Sequence, residues 1–251
     1  MENSTGYKGI SPWTDFGALQ KNHALPVYHK CRAQCRAGAA RPAGADGYIL
    51  AGGRASRLQA EKPLLPVGGK AMVRRVAEVL HPRVRRLCLL ANRPELYGFL
   101  GLPALPDRLP GRGPLGGLAT ALADLRQHGG RWALLAAGDM PWVSAAAVDL
   151  LLELAGPLEA ERPVALVPTW EQGDEPLLAL YSRGCQAAVE TALARGQSRM
   201  NSFYDAAQVV FVPMEPYFPI SALQRIFLNV NTFTDWCRAA RREKDQAGPD
   251  S

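Results

Sequence analysis

The stretch Leu50-Ala-Gly-Gly-Arg-Ala-Ser-Arg-Leu-Gln-Ala-Glu-Lys62 gathers residue types that suit a polyphosphate. Gly52 and Gly53 carry no Cβ, so backbone N–H groups there can approach phosphate oxygens closely and reach positive φ. Arg54, Arg57 and Lys62 follow, with Glu61 as the one acid among them, and supply the cations that several phosphate charges require. The plainer alternative is a strand-to-helix joint whose glycines only turn the chain. Asp139, in Ala136-Ala-Gly-Asp-Met-Pro141, has no charged neighbour for several residues. A carboxylate at the end of a buried strand needs a partner, and Mg2+ shared with phosphates is an efficient one. A turn cap before Pro141 is the other reading. Asn229 and Asn231 flank Val230, which places both side chains on one face of an extended segment. They suit a metal or a phosphate, or they tie the turn before the last helix.

Other patterns fail on inspection. Gly111-Arg-Gly-Pro-Leu-Gly116 matches the dinucleotide pattern G-x-G-x-x-G. That fingerprint works directly after a strand, whereas Asp107-Arg-Leu-Pro110 precedes it here, and Pro114 removes a backbone donor. What remains is a glycine-rich loop leading into a helix, able to bring N–H groups to a base or phosphate, or purely structural. Gly68-Gly-Lys70-Ala71 lacks both the first glycine and the final Ser or Thr of a P-loop. No G-x-S-x-G elbow or Cys–His pairing supplies an acyl-transfer nucleophile. Cys31 and Cys35, with His29 nearby, form at most half of a zinc site. The four histidines, His23, His29, His81 and His128, read as solvated, which argues against histidine acid–base catalysis.

The whole chain sets wider bounds. Its 251 residues, 47% of them hydrophobic, suffice for one large domain with a sizeable core. The net charge of +6 suits an anionic ligand such as a nucleotide. No basic run is interleaved with aromatics, so nucleic acid is not an expected partner. No apolar stretch approaches a membrane span, and the N-terminus has no signal-peptide core. Five scattered cysteines, Cys31, Cys35, Cys88, Cys185 and Cys237, argue for a reducing, cytoplasmic setting.

The elements that must position the site follow from periodicity. Residues 1–46 carry no sustained period and end in a small-residue linker, Ala37 to Asp46, so they read as a mobile extension. Gly47–Leu50, Arg86–Ala91 and Trp132–Ala137 are apolar runs of buried strands, and Pro63–Val67 is a second extended piece before a Gly68-Gly69 turn. Helices are expected from Met72 to Leu80, Ala119 to Gln127, Ala145 to Leu154 and Cys185 to Arg195. Val164–Val167 and Leu177–Tyr181 read as strands joined across Glu171-Gln-Gly-Asp174, with Glu175 a solvated turn acid. Val209–Val212 and Ile226–Leu228 are further strands, and Thr232 with Asp235 caps a last helix that frays through the tail 241–251. Such alternation implies an α/β fold, a three-layer, mostly parallel sheet with helices on both faces. Ligands bind such folds beyond the carboxyl ends of the strands, which gathers 51–62, Asn92-Arg93, Gly138-Asp139 and Asn229–Asn231.

Taken in order, these motifs resemble the molybdenum cofactor guanylyltransferases (MobA-type) of the nucleotidyltransferase superfamily. The resemblance rests on Leu50-Ala-Gly-Gly53 with Arg57 and Lys62, Ala91-Asn-Arg93, Pro106-Asp107 and Gly113-Pro-Leu-Gly-Gly117. Gly138-Asp-Met-Pro141, Glu175-Pro-Leu-Leu-Ala-Leu180 and Asn229-Val-Asn-Thr232 complete it. It covers roughly Gly47 to Arg238 and implies a nucleotidyltransferase domain over 47–240 of nucleotide-diphospho-sugar transferase type. GTP would be held by Leu50, Ala51, Gly52, Gly53, Lys62, Asn92 and Asp107, with Mg2+ on Asp139 and support from Asn229 and Asn231. Leu-Ala-Gly-Gly resembles guanylyltransferases, where cytidylyltransferases resemble Leu-Ala-Ala-Gly, so Gly53 favours GTP. Departures are Leu58-Gln59 for a common Met-Gly, Glu61 for Asp, Phe233 for Pro and Glu175 for a His.

The activity so implied is transfer of GMP from GTP to the terminal phosphate of molybdopterin, releasing pyrophosphate. That attacking oxygen is already anionic, so positioning and electrostatics would carry catalysis, with Arg57, Lys62 and Asp139 as the catalytic residues. Expected partners are GTP, molybdopterin, cofactor-delivery proteins and acceptor molybdoenzymes, with neither nucleic acid nor membrane. Alternatives are a CTP-dependent cytidylyltransferase or another nucleotidyltransferase, and a non-catalytic nucleotide-binding module.

Overall fold

A computed structural model describes residues 45–51 and 61–244, with side chains as far as residue 240. The expectations for the extension 1–44, for Cys31, Cys35, His23 and His29, and for Gly52, Gly53, Arg54 and Arg57 lie outside the described residues.

The described elements are β1 (Ala45–Leu50), β2 (Pro66–Val67), β3 (Lys70–Ala71), α1 (Met72–Leu80), β4 (Leu87–Leu90) and β5 (Ala104–Leu105). Then come α2 (Gly113–Gln127), β6 (Trp132–Ala137), α3 (Ala145–Ala155), β7 (Val164–Trp170), β8 (Gly173–Asp174) and β9 (Leu178–Ser182). The order closes with α4 (Gln186–Ala194), β10 (Gln208–Pro213), α5 (Ile220–Ile226) and α6 (Phe233–Lys244). The main sheet runs β10-β7-β9-β6-β1-β4-β5, with β8 on β7 and a separate β2-β3 ribbon. β1 pairs in parallel with β4 and β6, and β7 with β10, while β9 runs antiparallel between β6 and β7.

Alternation along the strands divides the apolar residues between two cores. Ile49 and Leu134 face α1, α3 and α5, while Tyr48 and Leu135 face α2 and α4. The expected three-layer architecture is therefore observed. Helix α2 lies close against β1 because position 117 is glycine. A Cβ there would sit 2.3 Å from Leu50 Cδ2. A third, small apolar cluster joins Val67 of β2, Met72 of α1, Trp142, Val230 and Ala239 of α6.

Four local expectations change. β1 begins at Ala45, and Asp46 is fully buried in it rather than part of a linker, because Arg85 and Arg86 neutralise its carboxylate. α2 begins at Gly113, well before Ala119, because Pro114 suits the first helical turn. Lys62–Leu64 is a 3-10 turn before β2, not extended chain. Ile226–Leu228 is no strand: Ile226 closes α5, and Leu223 and Ile226 bury one helical face. A short apolar run such as Ile-Phe-Leu does not separate strand from buried helix by itself. The Thr232–Asp235 cap is present, with Asp235 N donating to Thr232 Oγ1 at 3.1 Å and Thr232 N to Asp235 Oδ2 at 2.9 Å.

Candidate nucleotide-binding site

The site forms where β1, β4 and β6 end. Ala51 N donates to Leu90 O at 2.9 Å and Gly138 N to Leu50 O at 2.8 Å, so the three strand ends are laced together by backbone bonds. Tyr97, itself buried, donates its hydroxyl to Ala51 O at 2.8 Å. A Cβ on Gly138 would lie 3.0 Å from Leu50 O and 3.2 Å from Pro63 Cβ, so glycine lets the Lys62–Leu64 turn close over the strand end.

A cavity of about 390 Å³ opens there, within the range that holds small-molecule ligands. Leu50, Lys62, Asn92, Asp107 and Asp139 all line it, together with Gly111, Gly113 and Gly117. Ala51 lies beneath the wall, 2% exposed. Asn92 Oδ1 accepts from Asp107 N at 3.0 Å, and Asp107 Oδ1 accepts from Leu109 N at 3.0 Å. Thr120, buried on α2, receives Arg108 N at 3.1 Å and so fixes the loop from the other side. Gly111 and Gly113 take φ of 80° and 60°, conformations that open the turn into α2. Arg93 and Glu61 form an ion pair that fastens the Lys62 segment to the β4 end.

Lys62 and Asp139 line the same cleft close enough to interact. Lys62 Nζ donates to Asn231 Oδ1 at 3.0 Å. Val230 N donates to Asp139 O at 3.1 Å, so the Asn229–Asn231 segment touches both residues. Asn229 is engaged differently, donating weakly to Phe227 O at 3.5 Å. Burial pushes the Asp139 carboxyl above the usual carboxylate range, and the Lys62 ammonium pulls it partly back. A cation beside Asp139 would offset that burial cost. Among the described residues no group of three or more His, Cys, Asp and Glu side chains could cage an ion. One carboxylate beside a phosphate-sized cleft nevertheless suits Mg2+, which keeps waters and takes substrate oxygens as its remaining ligands.

Sequence reasoning misplaced Glu175. It is half-buried rather than a solvated turn acid, and Trp170 Nε1 donates to its Oε1 at 2.9 Å. Burial, with Asp174 adding to it, pushes its carboxyl up to about 7, against the indole bond. Leu177, which follows it, lines the cleft and accepts from Ala137 N at 2.9 Å. Tyr97, Thr120 and Arg75 were also passed over. Each acts through a backbone contact distant in sequence, which no local pattern reveals.

Open α/β sheets bind their ligands, nucleotides among them, in such a cleft at the carboxyl ends of the strands. Comparison with known proteins narrows this. A crystal structure of molybdopterin-guanine dinucleotide biosynthesis protein A from Archaeoglobus fulgidus superposes with a TM-score of 0.67 and 25% identity, over 80% of this chain and 99% of that one. A protein of Pelotomaculum thermopropionicum, named a probable molybdenum cofactor guanylyltransferase, is 36% identical over 197 residues, 78% of this chain and 91% of its own length. The molybdenum cofactor guanylyltransferase of Serratia proteamaculans is 32% identical over 201 residues, 79% of this chain and 94% of its own. Residues 47–210 match the family model of the MobA-like NTP transferase domain, and the chain belongs to that family.

Proposed function

We propose that this protein is a molybdenum cofactor guanylyltransferase, transferring GMP from GTP to the terminal phosphate of molybdopterin. The observation that carries the reading is the meeting of Lys62, Asp139, Asn92 and Asp107 in the lining of one cleft. The names of the relatives agree with it.

A phosphate oxygen of molybdopterin attacks the α-phosphorus of GTP. A P–O bond forms to the acceptor, the bond to the β-bridging oxygen breaks, and pyrophosphate leaves with the electron pair. The attacking oxygen carries charge at neutral pH, so no proton must be removed. The chain's contribution is orientation and charge. Asn92 and Asp107 orient the nucleoside end, and the Leu50-Ala-Gly-Gly53 stretch receives the phosphates. Lys62 and Arg57 neutralise the departing pyrophosphate. Asp139 would hold Mg2+, which when bound supplies charge neutralisation at the phosphate oxygens. Asn231 steadies Lys62 through its side chain, and the backbone of Val230 steadies Asp139. The scattered cysteines support a reducing, cytoplasmic setting for the reaction, with acceptor molybdoenzymes downstream of it. Among the described residues no helix is long and apolar enough to cross a membrane.

The test is to incubate the protein with molybdopterin, Mg2+ and GTP or CTP, singly and in competition, and follow pyrophosphate. Release with GTP, poorly inhibited by CTP, is the expected result. Release with CTP alone would make it a cytidylyltransferase, and nucleotide binding without release would make it a binding module.

A further inference from the structure

We propose that Arg75 is a positioning residue that holds Lys62 and Asp139 in register by clamping the two segments that carry them with one guanidinium. The inference rests on the roles proposed above for those two residues.

Arg75 projects from α1. Its Nη1 donates to Val67 O at 3.1 Å, at the end of the segment that begins with Lys62. Its Nε donates to Pro141 O at 3.2 Å, two residues past Asp139. The planar guanidinium presents donors in a fixed fork, so these two carbonyls are held at a set separation. A second contact stiffens the same loop. The Cζ of Arg75 lies 4.3 Å from the centre of the Trp142 ring, and the Cζ of Arg225, from α5, lies 4.3 Å from it as well. Trp142 is 8% exposed, and its buried indole N–H has no hydrogen-bond partner among the described residues. Ring faces therefore hold this side chain, through cation–π contact and through apolar packing on Val67 and Val230. Val230 in turn donates to Asp139 O. The clamp thus reaches Asp139 from two directions and the Lys62 segment from one.

The neighbouring residue provides an internal control. Arg74 makes the same kinds of contact, Nη2 to Phe99 O at 2.8 Å and Cζ 5.1 Å from the Phe99 ring, but to a surface segment away from the cleft. Arg74→Met removes one carbonyl bond and one ring contact from the same helix, Arg75→Met two bonds and one ring contact, and only the second should disturb the site.

The experiment measures Mn2+ affinity by electron paramagnetic resonance in the presence of GTP, together with kcat, KM for GTP and thermal midpoint. Removing an outer support of a metal ligand commonly costs about 10- to 100-fold in affinity or activity. We expect Arg75→Met to weaken Mn2+ binding and lower kcat about tenfold, with KM for GTP changed far less. Arg75→Lys, which keeps a cation but not the fork, should recover only part of the loss. Arg74→Met should lower the thermal midpoint, though less than Arg75→Met does, and keep wild-type Mn2+ affinity. Wild-type Mn2+ affinity and kcat in Arg75→Met, or equal losses in both methionine variants, would overturn the proposal. Should Arg75→Met fail to fold, Arg75→Lys decides: weakened Mn2+ binding supports the clamp, and wild-type binding ends it. If the wild-type protein binds Mn2+ and GTP but yields no product, the proposed activity fails while the Mn2+ comparison still judges Arg75.

Discussion

The two ends of the central strands treat buried charge in opposite ways. At the amino end, Asp46 is fully buried, and Arg85 grips both its oxygens at 2.9 Å, with Arg86 Nη1 3.5 Å away. Arg86 also reaches Asp124 at 3.2 Å, and Asp124 receives the Tyr48 hydroxyl at 2.8 Å. Arg85 closes the ring by donating to His128 O at 2.8 Å. At the carboxyl end, Asp139 is raised by burial with the Lys62 ammonium as its nearest compensating charge. One end is completed by the fold itself. On the function proposed above, the other is left for a ligand to complete, as perturbed titration often marks functional sites.

Substitutions at each end sharpen or break this contrast. The largest effect should come from Asp139→Asn, which we expect to lower turnover at least about 1,000-fold by removing the acidic ligand of the proposed metal while thermal stability holds or rises. Near-normal turnover in that variant would erase the distinction between the two ends. Lys62→Met should follow at about 100-fold in kcat/KM, again with little change in melting.

Asp46→Asn should invert the pattern. Breaking a fully buried pair costs roughly 3–5 kcal/mol, and the partial solvation of Arg85 and Arg86 reduces that to about 2 kcal/mol. Denaturant melts should show this loss, while kcat and KM of the folded protein stay at wild type. A selective loss of turnover in Asp46→Asn would break the comparison from the other side.

The smallest effect concerns Glu175. Its folded-state carboxyl is raised to about 7, above its unfolded value. The protonated form is therefore favoured by folding, and stability falls as pH rises from about 4.5 to 7. Glu175→Gln should remove that fall, gaining about 1 kcal/mol at pH 8 after allowance for its partial exposure. Melts of both proteins across this range check the sign. Parallel curves would mean that Glu175 is solvated after all.

The legible parts of this chain were those written locally. Uninterrupted apolar runs marked β1, β4 and β6, and the polar residues that follow them marked the cleft. Asp139 stood out because it follows an apolar strand closely, and Lys62 because it closes the cationic stretch after Gly52 and Gly53. What depends on pairing across the fold was hidden. Nothing near Asp46 announces Arg85 and Arg86 on another segment, and Glu175 meets Trp170 only once the β7–β8 hairpin folds back. The start of α2 was obscured because its first turn is built from Gly113, Pro114, Gly116 and Gly117, which read as a loop. Arg75 carries no local signal, and its carbonyl partners are visible only after β2 and the Asp139 loop converge.

The most direct test is anomalous diffraction from crystals grown with GTP and Mn2+. We expect Mn2+ within coordinating distance, about 2.0–2.3 Å, of an Asp139 oxygen, with phosphate oxygens completing its shell and Lys62 Nζ on the same triphosphate. Mn2+ and GTP bound elsewhere, with Asp139 facing neither, would contradict the site itself.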